Sequence, residues 1–288
     1  MTTILAASGI AVIVLLAGNL PWSGFGPIPG LMAWNLRIGT GLPWAVIPGL
    51  LYLSAYWLFI SGKWASNAKA EQRRTNLRAK RLHPWTWVMA LASGALGFAM
   101  LLAFLGLVSR LVNLPAGLPV SSPPEMPVLT MIILIIMASV VAGVSEEAAF
   151  RGYMQSMIER RYGLTVAILA NGTLFGLLHF GNHPGDVLMM LPYYVAVAGV
   201  YGGLTWAADS ILPAIVLHSI GDIIVLTRWW ITGLPEWQLN TTPPPLVWDN
   251  GIDASFMTLA AITVVLAVLT IMAYRELSRY RAGRDTSI

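Results

Sequence analysis

Long apolar runs, separated by short polar or proline- and glycine-rich connections, dominate the sequence of this chain. A membrane-spanning helix needs about 20 mainly apolar residues, and eight segments approach that length. We predict these spans at 3–20, 43–60, 86–113, 127–146, 164–181, 187–207, 211–228 and 255–274. The pattern therefore predicts an all-α, polytopic membrane helical bundle of about eight transmembrane helices, placed in the cell membrane.

The composition of the chain is also that of a membrane protein. Of its 288 residues, 57% are hydrophobic and 10% are charged, and the mean hydropathy is +0.70. A soluble domain carries about 25% charged residues, so most of this surface cannot face water. The sequence has no cysteine, which excludes disulfides, thiolate metal sites and a cysteine nucleophile.

Positive charge is concentrated in three connections: the loop 61–83, the turn that holds Arg160 and Arg161, and the tail after residue 274. Cytoplasmic loops carry an excess of Lys and Arg, so we predict that both termini are cytoplasmic. The same loop can also contact anionic lipid, which attracts Lys and Arg near the surface. Its bases are Lys63, Lys69, Arg73, Arg74, Arg78, Lys80 and Arg81.

Three parts follow from this pattern. Residues 1–126 hold the first three predicted transmembrane helices and the basic cytoplasmic loop 61–83. Residues 127–228 form a helical core with polar groups at membrane depth. Residues 229–288 comprise a loop, the last predicted span and a basic cytoplasmic tail.

Ionisable side chains inside the spans point to a functional site, because such groups are costly in a bilayer. They occur in three short groups that lie at the end of the fourth span, at the end of the fifth and within the seventh. The groups are Ser145-Glu146-Glu147-Ala148-Ala149-Phe150-Arg151, Phe175-Gly176-Leu177-Leu178-His179 and His218-Ser219-Ile220-Gly221-Asp222.

The spacing within these groups indicates which side chains share a helix face. Glu147 and Arg151 are four residues apart and can form a pair along one face, and His218 and Asp222 have the same spacing. Glu146 lies about 100° around the helix from Glu147, so the two carboxylates need not point to the same place.

A hairpin between the fourth and fifth spans would bring the first two groups to one depth. If the chain turns near Tyr162-Gly163, Glu146 lies 16 residues before Tyr162 and His179 lies 16 residues after Gly163. At 1.5 Å per residue, each is roughly 24 Å from the turn. The fourth helix must then continue through Arg151 beyond its apolar part.

A carboxylate beside an imidazole can act as a general-base pair. Glu146 would take a proton from water, and His179 would hold that water or share the proton. His218 and Asp222 would stabilise the oxyanion that develops when water attacks a carbonyl. Asp222 would orient His218 or hold a donor, since an ionised carboxylate cannot itself donate.

Structural interpretations of the same residues stay open. A single intramembrane histidine is often a hydrogen-bonded packing residue, and the main role of the Glu147–Arg151 pair is predicted to be structural. Asp186, Asp209 and His183 lie at predicted helix ends and are interpreted as caps or interface residues. Only the coincidence of three polar groups on three helices favours a catalytic site.

At these residues the sequence resembles the CPBP family, which comprises type II CAAX prenyl endopeptidases and bacteriocin-processing and self-immunity proteins, also called ABI proteins. The family pattern is EExxxR, then FxxxH, then HxxxN/D. It is matched here by Glu146-Glu147 with Arg151, by Phe175 with His179 and by His218 with Asp222. The resemblance implies an intramembrane endopeptidase in which Glu146 and His179 activate water and His218 and Asp222 form the oxyanion site. Glu147, Arg151 and Phe175 have supporting roles.

The family is often labelled as metalloprotease, yet its motif residues also support glutamate-based catalysis without metal. Two histidines and two carboxylates can bind zinc, but the sequence has no HExxH helix. We predict that no cofactor is required; if a metal is bound, its ligands would be Glu146, His179 and His218. A serine mechanism is disfavoured, because Gly143-Val144-Ser145-Glu146 does not match G-x-S-x-G.

The sequence therefore predicts hydrolysis of peptide bonds in a membrane-associated substrate, prenylated or not. The expected partners are this protein or peptide substrate and the lipid bilayer, with no nucleic acid. One alternative is a non-catalytic immunity or scaffold protein of the same family. Another is a proton-coupled transporter whose Glu146, His179 and Asp222 relay protons, although we see no inverted repeat of the kind typical of transporters.

Overall fold

The computed structural model describes residues 2–19, 30–61, 67–114, 125–179, 187–234 and 237–285. All regular secondary structure in these ranges is helical, which confirms the all-α prediction. In chain order the elements are α1 (Thr2–Asn19), α2 (Gly30–Ile38), α3 (Val46–Ser61), α4 (Asn67–Leu77), α5 (Pro84–Val108), α6 (Val128–Glu146), a π-helix (Glu147–Met154, the π segment), α7 (Gln155–Leu178), α8 (Val187–Ala208), α9 (Leu212–Thr232), α10 (Val247–Asn250) and α11 (Ala254–Asp285).

Within the described ranges, five helical stretches are long and apolar enough to cross a membrane. Two shorter apolar helices, Thr2–Ile13 and Val46–Leu58, match the first two predicted spans. The longest stretch runs over 51 residues and combines the fourth and fifth predicted spans. The chain is thus a multi-pass membrane protein, and the predicted number of eight spans holds approximately. The five stretches are Pro84–Val108, Val128–Leu178, Leu188–Ala208, Leu212–Thr232 and Ala254–Gly283.

The longest stretch reverses direction at Gly163, as the sequence predicts. Gly163 has φ 82° and ψ 168°, a conformation that L side chains rarely adopt and glycine adopts readily. The rings of Phe150 and Phe175 are 5.0 Å apart. In a straight helix these two residues would be separated by roughly 38 Å. The second half of α7 therefore returns along the π segment.

Close contact between α6 and α9 brings two of the three polar groups together. A Cβ atom on Gly143 would lie 2.5 Å from the Ser219 hydroxyl oxygen and 3.1 Å from the carbonyl oxygen of Ile215. Small residues at such positions let membrane helices approach closely. Gly143 precedes Glu147 by one helical turn, and Ser219 follows His218. The absence of a side chain at Gly143 therefore sets the distance across which Glu147 and His218 meet.

We expect Gly143→Ala to lower both stability and activity. The Ser219 hydroxyl can rotate away from the new methyl group, but the Ile215 carbonyl cannot, so α6 and α9 must separate. Overpacking of this kind typically costs about 1–3 kcal/mol. Gly199→Ala is the matched control, because the nearest atom to its Cβ is 3.9 Å away on Ile168. Thermal unfolding in detergent should show a lower midpoint for Gly143→Ala and an unchanged midpoint for Gly199→Ala. Equal midpoints for the two variants would contradict this packing.

The basic segment 61–83 contains a helix that the sequence analysis did not predict. α4 ends at Leu77, which is fully buried. A Cβ on Gly152 would lie 2.9 Å from Leu77, so α4 packs directly against the π segment. Arg78, which follows α4, places its two terminal nitrogens 3.0 and 2.8 Å from the carboxylate oxygens of Glu159 on α7. This segment is therefore part of the folded bundle as well as a topology signal.

Asp209, in the turn between α8 and α9, joins the basic segments. Its carboxylate forms ion pairs with Arg78 at 3.6 Å, with Lys80, and with Arg281 on α11 at 3.5 Å. Asp209 is thus an interface residue, consistent with its interpretation from sequence, whereas His183 and Asp186 lie outside the described residues. Arg160 is exposed beside Glu159. Residues of all three basic connections consequently lie at one end of the bundle.

At the other end, Arg110 ties α5 to the segment that leads into α11. Its guanidinium donates to the carbonyl oxygen of Pro245 at 2.7 Å and to the carboxylate of Asp253 at 2.7 and 3.2 Å. The hydrogen bond from Arg110, followed by one from the Phe256 backbone N–H, lowers the pKa of Asp253 below its ordinary value. At pH values above the ordinary pKa of an aspartate, this contact therefore stabilises the folded protein. The stabilisation is lost as the pH falls through the lowered pKa of Asp253.

Candidate active site

The π segment begins with a buried ion pair. Glu147 is fully buried and Arg151 is 1% exposed, and Arg151 Nη1 lies 3.1 Å from Glu147 Oε1. The two groups are close enough to form an ion pair. However, none of the guanidinium nitrogens forms a hydrogen bond of good geometry with a described residue, and neither does Glu147 Oε2. The cation instead lies over three aromatic rings, at 5.9 Å from Phe150, 5.1 Å from Phe175 and 5.3 Å from Tyr201.

Glu147 also binds His218, which the spacing alone did not predict. His218 Nδ1 lies 2.7 Å from Glu147 Oε1. An ionised carboxylate only accepts, so Nδ1 carries the proton and donates. Glu147 therefore fixes the orientation of the imidazole, as carboxylates do for histidines in many catalytic and metal sites. The pair that we predicted to be structural has a second contact that bears on the chemistry.

The opposite nitrogen of His218 faces two more carboxylates. Its Nε2 lies 3.7 Å from Glu146 Oε2 and 3.7 Å from Asp222 Oδ1. Glu146 and Asp222 have side chains that are 20% and 31% exposed, whereas the His218 side chain is 9% exposed. The two neighbouring glutamates thus contact opposite nitrogens of one ring. His218 and Asp222 point to a common place, as their spacing predicts.

His179 occupies a separate position. Its Nδ1 lies 2.7 Å from the carbonyl oxygen of Phe175, and this contact fixes the proton on Nδ1 because a carbonyl can only accept. Its ring is 4.4 Å from Phe175 and 5.0 Å from Tyr194. Among the described residues it forms no ion pair with a carboxylate. The imidazole that lies within 4 Å of Glu146 is that of His218, and the predicted action of His179 with Glu146 on one water stays a prediction.

His218 lies beside the two glutamates because of the packing of α6 against α9. The spacing about the turn at Gly163 predicts only that Glu146 and His179 lie at a similar depth, and it does not predict how α9 packs against α6. Gly143 brings α9 against the face of α6 that carries the two glutamates. Phe175 contacts both Arg151, whose guanidinium lies 5.1 Å from its ring, and His179, whose ring lies 4.4 Å away.

The arrangement of these side chains does not fit the zinc site considered from sequence. Among the described residues, no group of three His, Asp or Glu side chains is arranged to hold a metal ion. His218 Nδ1 is occupied by Glu147, which leaves only Nε2 as a ligand. We therefore derive no catalytic step through a metal.

Tyr201 is a site residue that sequence reasoning missed. It lies on α8, is 6% exposed and stacks on His218 with ring centroids 5.2 Å apart and planes 18° apart. No charged group or spacing distinguishes it from the other aromatic residues of the predicted span 187–207. Only the packing of α8 beside α9 reveals it.

The sequence of the helical core also matches the model of a known protein family. Residues 128–224 match the family model described as type II CAAX prenyl endopeptidase Rce1-like. This match supports the relationship of the core to the CAAX protease family. The matched segment starts with α6 and ends within α9, so it contains Glu146, Glu147, Arg151, Phe175, His179, Tyr201, His218 and Asp222. No curated protein and no solved structure gives a significant match to the chain.

The match agrees with the resemblance drawn from the three motifs. It supports peptidase activity within a membrane, and it covers most of the predicted helical core while leaving α1–α5, α10 and α11 outside. The family match itself assigns no role to individual side chains.

Proposed function

We propose that this chain is an intramembrane endopeptidase that hydrolyses a peptide bond with water activated by Glu146. The observation that carries the proposal is the position of His218, whose two nitrogens face Glu147 on one side and Glu146 with Asp222 on the other. A base that is 20% exposed and an oriented imidazole beside it are the elements needed for hydrolysis. The catalytic part in this proposal is the core 127–228.

In the proposed reaction, Glu146 removes a proton from water as the water oxygen attacks the carbonyl carbon of the substrate. His218, held as imidazolium, donates from Nε2 to the oxygen on which negative charge develops. The proton held by Glu146 then passes to the nitrogen of the leaving amine as the carbon–nitrogen bond breaks. The products are a new carboxyl group and a new amine.

Asp222 acts electrostatically in this proposal. Its carboxylate is 3.7 Å from His218 Nε2 and, when ionised, cannot donate to an oxyanion. Together with Glu147 it favours the charged form of His218. The oxyanion donor is then the imidazolium, and an aspartate at this position suits that role.

His179 contributes from α7. Since its Nδ1 donates to the Phe175 carbonyl, its Nε2 carries a lone pair and accepts. We propose that Nε2 accepts a hydrogen bond from the attacking water or from an N–H of the substrate. Catalytic contacts are often long before substrate binds and tighten in the complex.

The proposed substrate is a peptide that is attached to the membrane. We expect a peptide carrying a farnesyl group to be cleaved faster than the same peptide without a lipid, because the site opens within a helical bundle in the bilayer. A third peptide with an acyl chain of similar length separates prenyl recognition from simple membrane attachment. Equal cleavage of the lipid-free peptide would contradict a membrane-attached substrate.

We further propose that catalysis needs no metal. Activity should survive thorough treatment with chelators followed by removal of the chelator, because Glu146 and His218 supply the base and the oxyanion donor. Complete loss of activity that stoichiometric zinc restores would contradict this and make His179, His218 and a carboxylate candidate ligands.

For the orientation in the membrane, we propose that both termini are cytoplasmic. Basic residues of segment 61–83 and of α11 share Asp209, so these regions lie at one end of the bundle, and the positive-inside rule assigns that end to the cytoplasm. Tags in the basic segment and at the C-terminus should be accessible from one side, and a tag near residue 240 from the other. Accessibility of all three from the same side would contradict this topology.

A further inference from the structure

Tyr201 lies outside all three polar groups, yet it contacts both charged parts of the site. Its ring stacks on His218, at 5.2 Å between centroids, and lies 5.3 Å from the Arg151 guanidinium carbon. Both of these neighbours also contact Glu147. One aromatic ring on α8 therefore touches the two side chains that share the buried carboxylate.

The backbone on each side of Tyr201 is held by a side chain from another helix. The carbonyl of Val200 accepts a hydrogen bond from the Tyr274 hydroxyl on α11 at 3.0 Å. The carbonyl of Gly202 accepts one from Gln155 Nε2 on α7 at 2.9 Å. Both hydrogen bonds are buried and are additional to those within α8, so the position of Tyr201 is fixed by α7 and α11.

The space for the stacked rings depends on a further glycine, Gly221, which lies on α9. A Cβ on Gly221 would lie 3.1 Å from the Phe98 ring and 3.4 Å from the Tyr201 hydroxyl oxygen. Gly221 is three residues from His218 and one from Asp222. At this point α9 is thus so close to Tyr201 and Phe98 that residue 221 has little room for a side chain.

We propose that Tyr201 is a positioning residue for His218, an inference that rests on the function proposed above. Stacking restricts rotation of the imidazole, so that Nδ1 stays on Glu147 while Nε2 faces Glu146 and Asp222. The electron-rich ring face also favours the positive charge of the imidazolium and of Arg151. Tyr201 touches no reacting atom and acts through these two neighbours.

The proposal requires the ring of Tyr201 and not its hydroxyl group. Tyr201→Phe keeps the stacked ring and should retain kcat within about threefold. Tyr201→Leu keeps apolar volume but removes the ring, and kcat should fall about 10–100-fold, the range typical when a group that orients a functional histidine is removed. KM should change little, because the substrate does not contact Tyr201.

Leu204→Ala is the matched control for loss of packing. Leu204 is fully buried on the same helix and in the same apolar cluster as Tyr201. Its truncation should lower the thermal midpoint, as Tyr201→Leu does, but leave kcat close to wild type. Parallel losses of kcat in Leu204→Ala and Tyr201→Leu would reduce Tyr201 to a packing residue and overturn the proposal.

A second measurement does not depend on cleavage of any peptide. In protein labelled with ¹⁵N-histidine, the His218 Nδ1–H that donates to Glu147 should exchange slowly with water and give a sharp downfield signal. Tyr201→Leu should broaden or remove this signal, whereas Tyr201→Phe and Leu204→Ala should keep it. An unchanged signal in Tyr201→Leu would overturn the positioning role.

The two proposals fail in distinguishable ways. Wild-type activity in Glu146→Gln would defeat the proposed function, whatever happens at Tyr201. An inactive Glu146→Gln together with wild-type kcat in Tyr201→Leu would leave that function standing and defeat only the inference about Tyr201. If wild-type protein cleaves none of the three peptides, the Nδ1–H signal still decides whether Tyr201 positions His218.

Discussion

Glu146→Gln should reduce peptide hydrolysis by at least about 100-fold. Glutamine keeps the size and the exposure of the side chain but cannot take a proton from water, and general-base catalysis typically contributes 10²–10⁴-fold. Because the Glu146 side chain is 20% exposed and its closest charged contact is 3.7 Å away, the substitution should leave the fold intact. Initial rates on the farnesylated peptide and the thermal midpoint measure the two effects separately.

Three further variants complete this test. Glu276→Gln removes a carboxylate that is 65% exposed on α11 and should change neither the initial rate nor the thermal midpoint. His179→Ala should also lose activity, and the Glu146→Gln, His179→Ala double variant should be little worse than the worse single one, because residues acting in one step are not additive. Near-wild-type activity in folded Glu146→Gln would exclude Glu146 as the base.

Glu147→Ala should damage both the fold and the reaction. The substitution leaves Arg151, which is 1% exposed, without its carboxylate and removes the acceptor that orients His218. Breaking a buried ion pair by removing one partner typically costs about 3–5 kcal/mol. We therefore expect low yields of folded protein as well as loss of activity, measured by monodispersity in detergent and by peptide cleavage.

Removing both partners separates the two roles of Glu147. Glu147→Ala with Arg151→Ala leaves no unpaired buried charge and should recover stability relative to Glu147→Ala, with a coupling of roughly 0.5–3 kcal/mol. It should not recover activity, because His218 still lacks its acceptor. Glu147→Gln offers an oxygen to His218 Nδ1–H and should be the mildest variant. Recovery of full activity in the double variant would make the pair purely structural.

Much of the helical framework could be predicted because it follows from local patterns. Apolar runs of membrane length mark the helices, and Tyr162-Gly163 marks the reversal that brings Phe175 back to Phe150. The four-residue spacing of His218 and Asp222 places both on one face of α9. The α4 helix was missed because its composition is polar: only Ala70 and Leu77 are buried, and two apolar positions seven residues apart are too few to mark an apolar face.

Side-chain pairing between helices could not be predicted in the same way. The packing of α6 against α9 places His218 beside Glu146 and Glu147, and Gly143 permits that packing through its contact with Ser219, 76 residues later in the chain. The π segment begins at Glu147, which accepts from His218 Nδ1, while Glu146 lies beside Nε2. π-helical turns occur frequently at functional sites, but no spacing of residues in the sequence predicts one. Tyr201 was missed because an uncharged aromatic residue in an apolar span has no distinguishing pattern.

The contacts of His218 with Glu147 and Asp222 would also suit proton transfer in a transporter, so the central claim must be tested by a chemical product. Purified protein in lipid nanodiscs should be incubated with the farnesylated peptide in water enriched in ¹⁸O, and the fragments weighed by mass spectrometry. We predict a single cleavage site, with one ¹⁸O atom in the new carboxyl group of the wild-type product and no such fragment from Glu146→Gln. The same labelled fragment in equal amount from Glu146→Gln would contradict hydrolysis by Glu146-activated water.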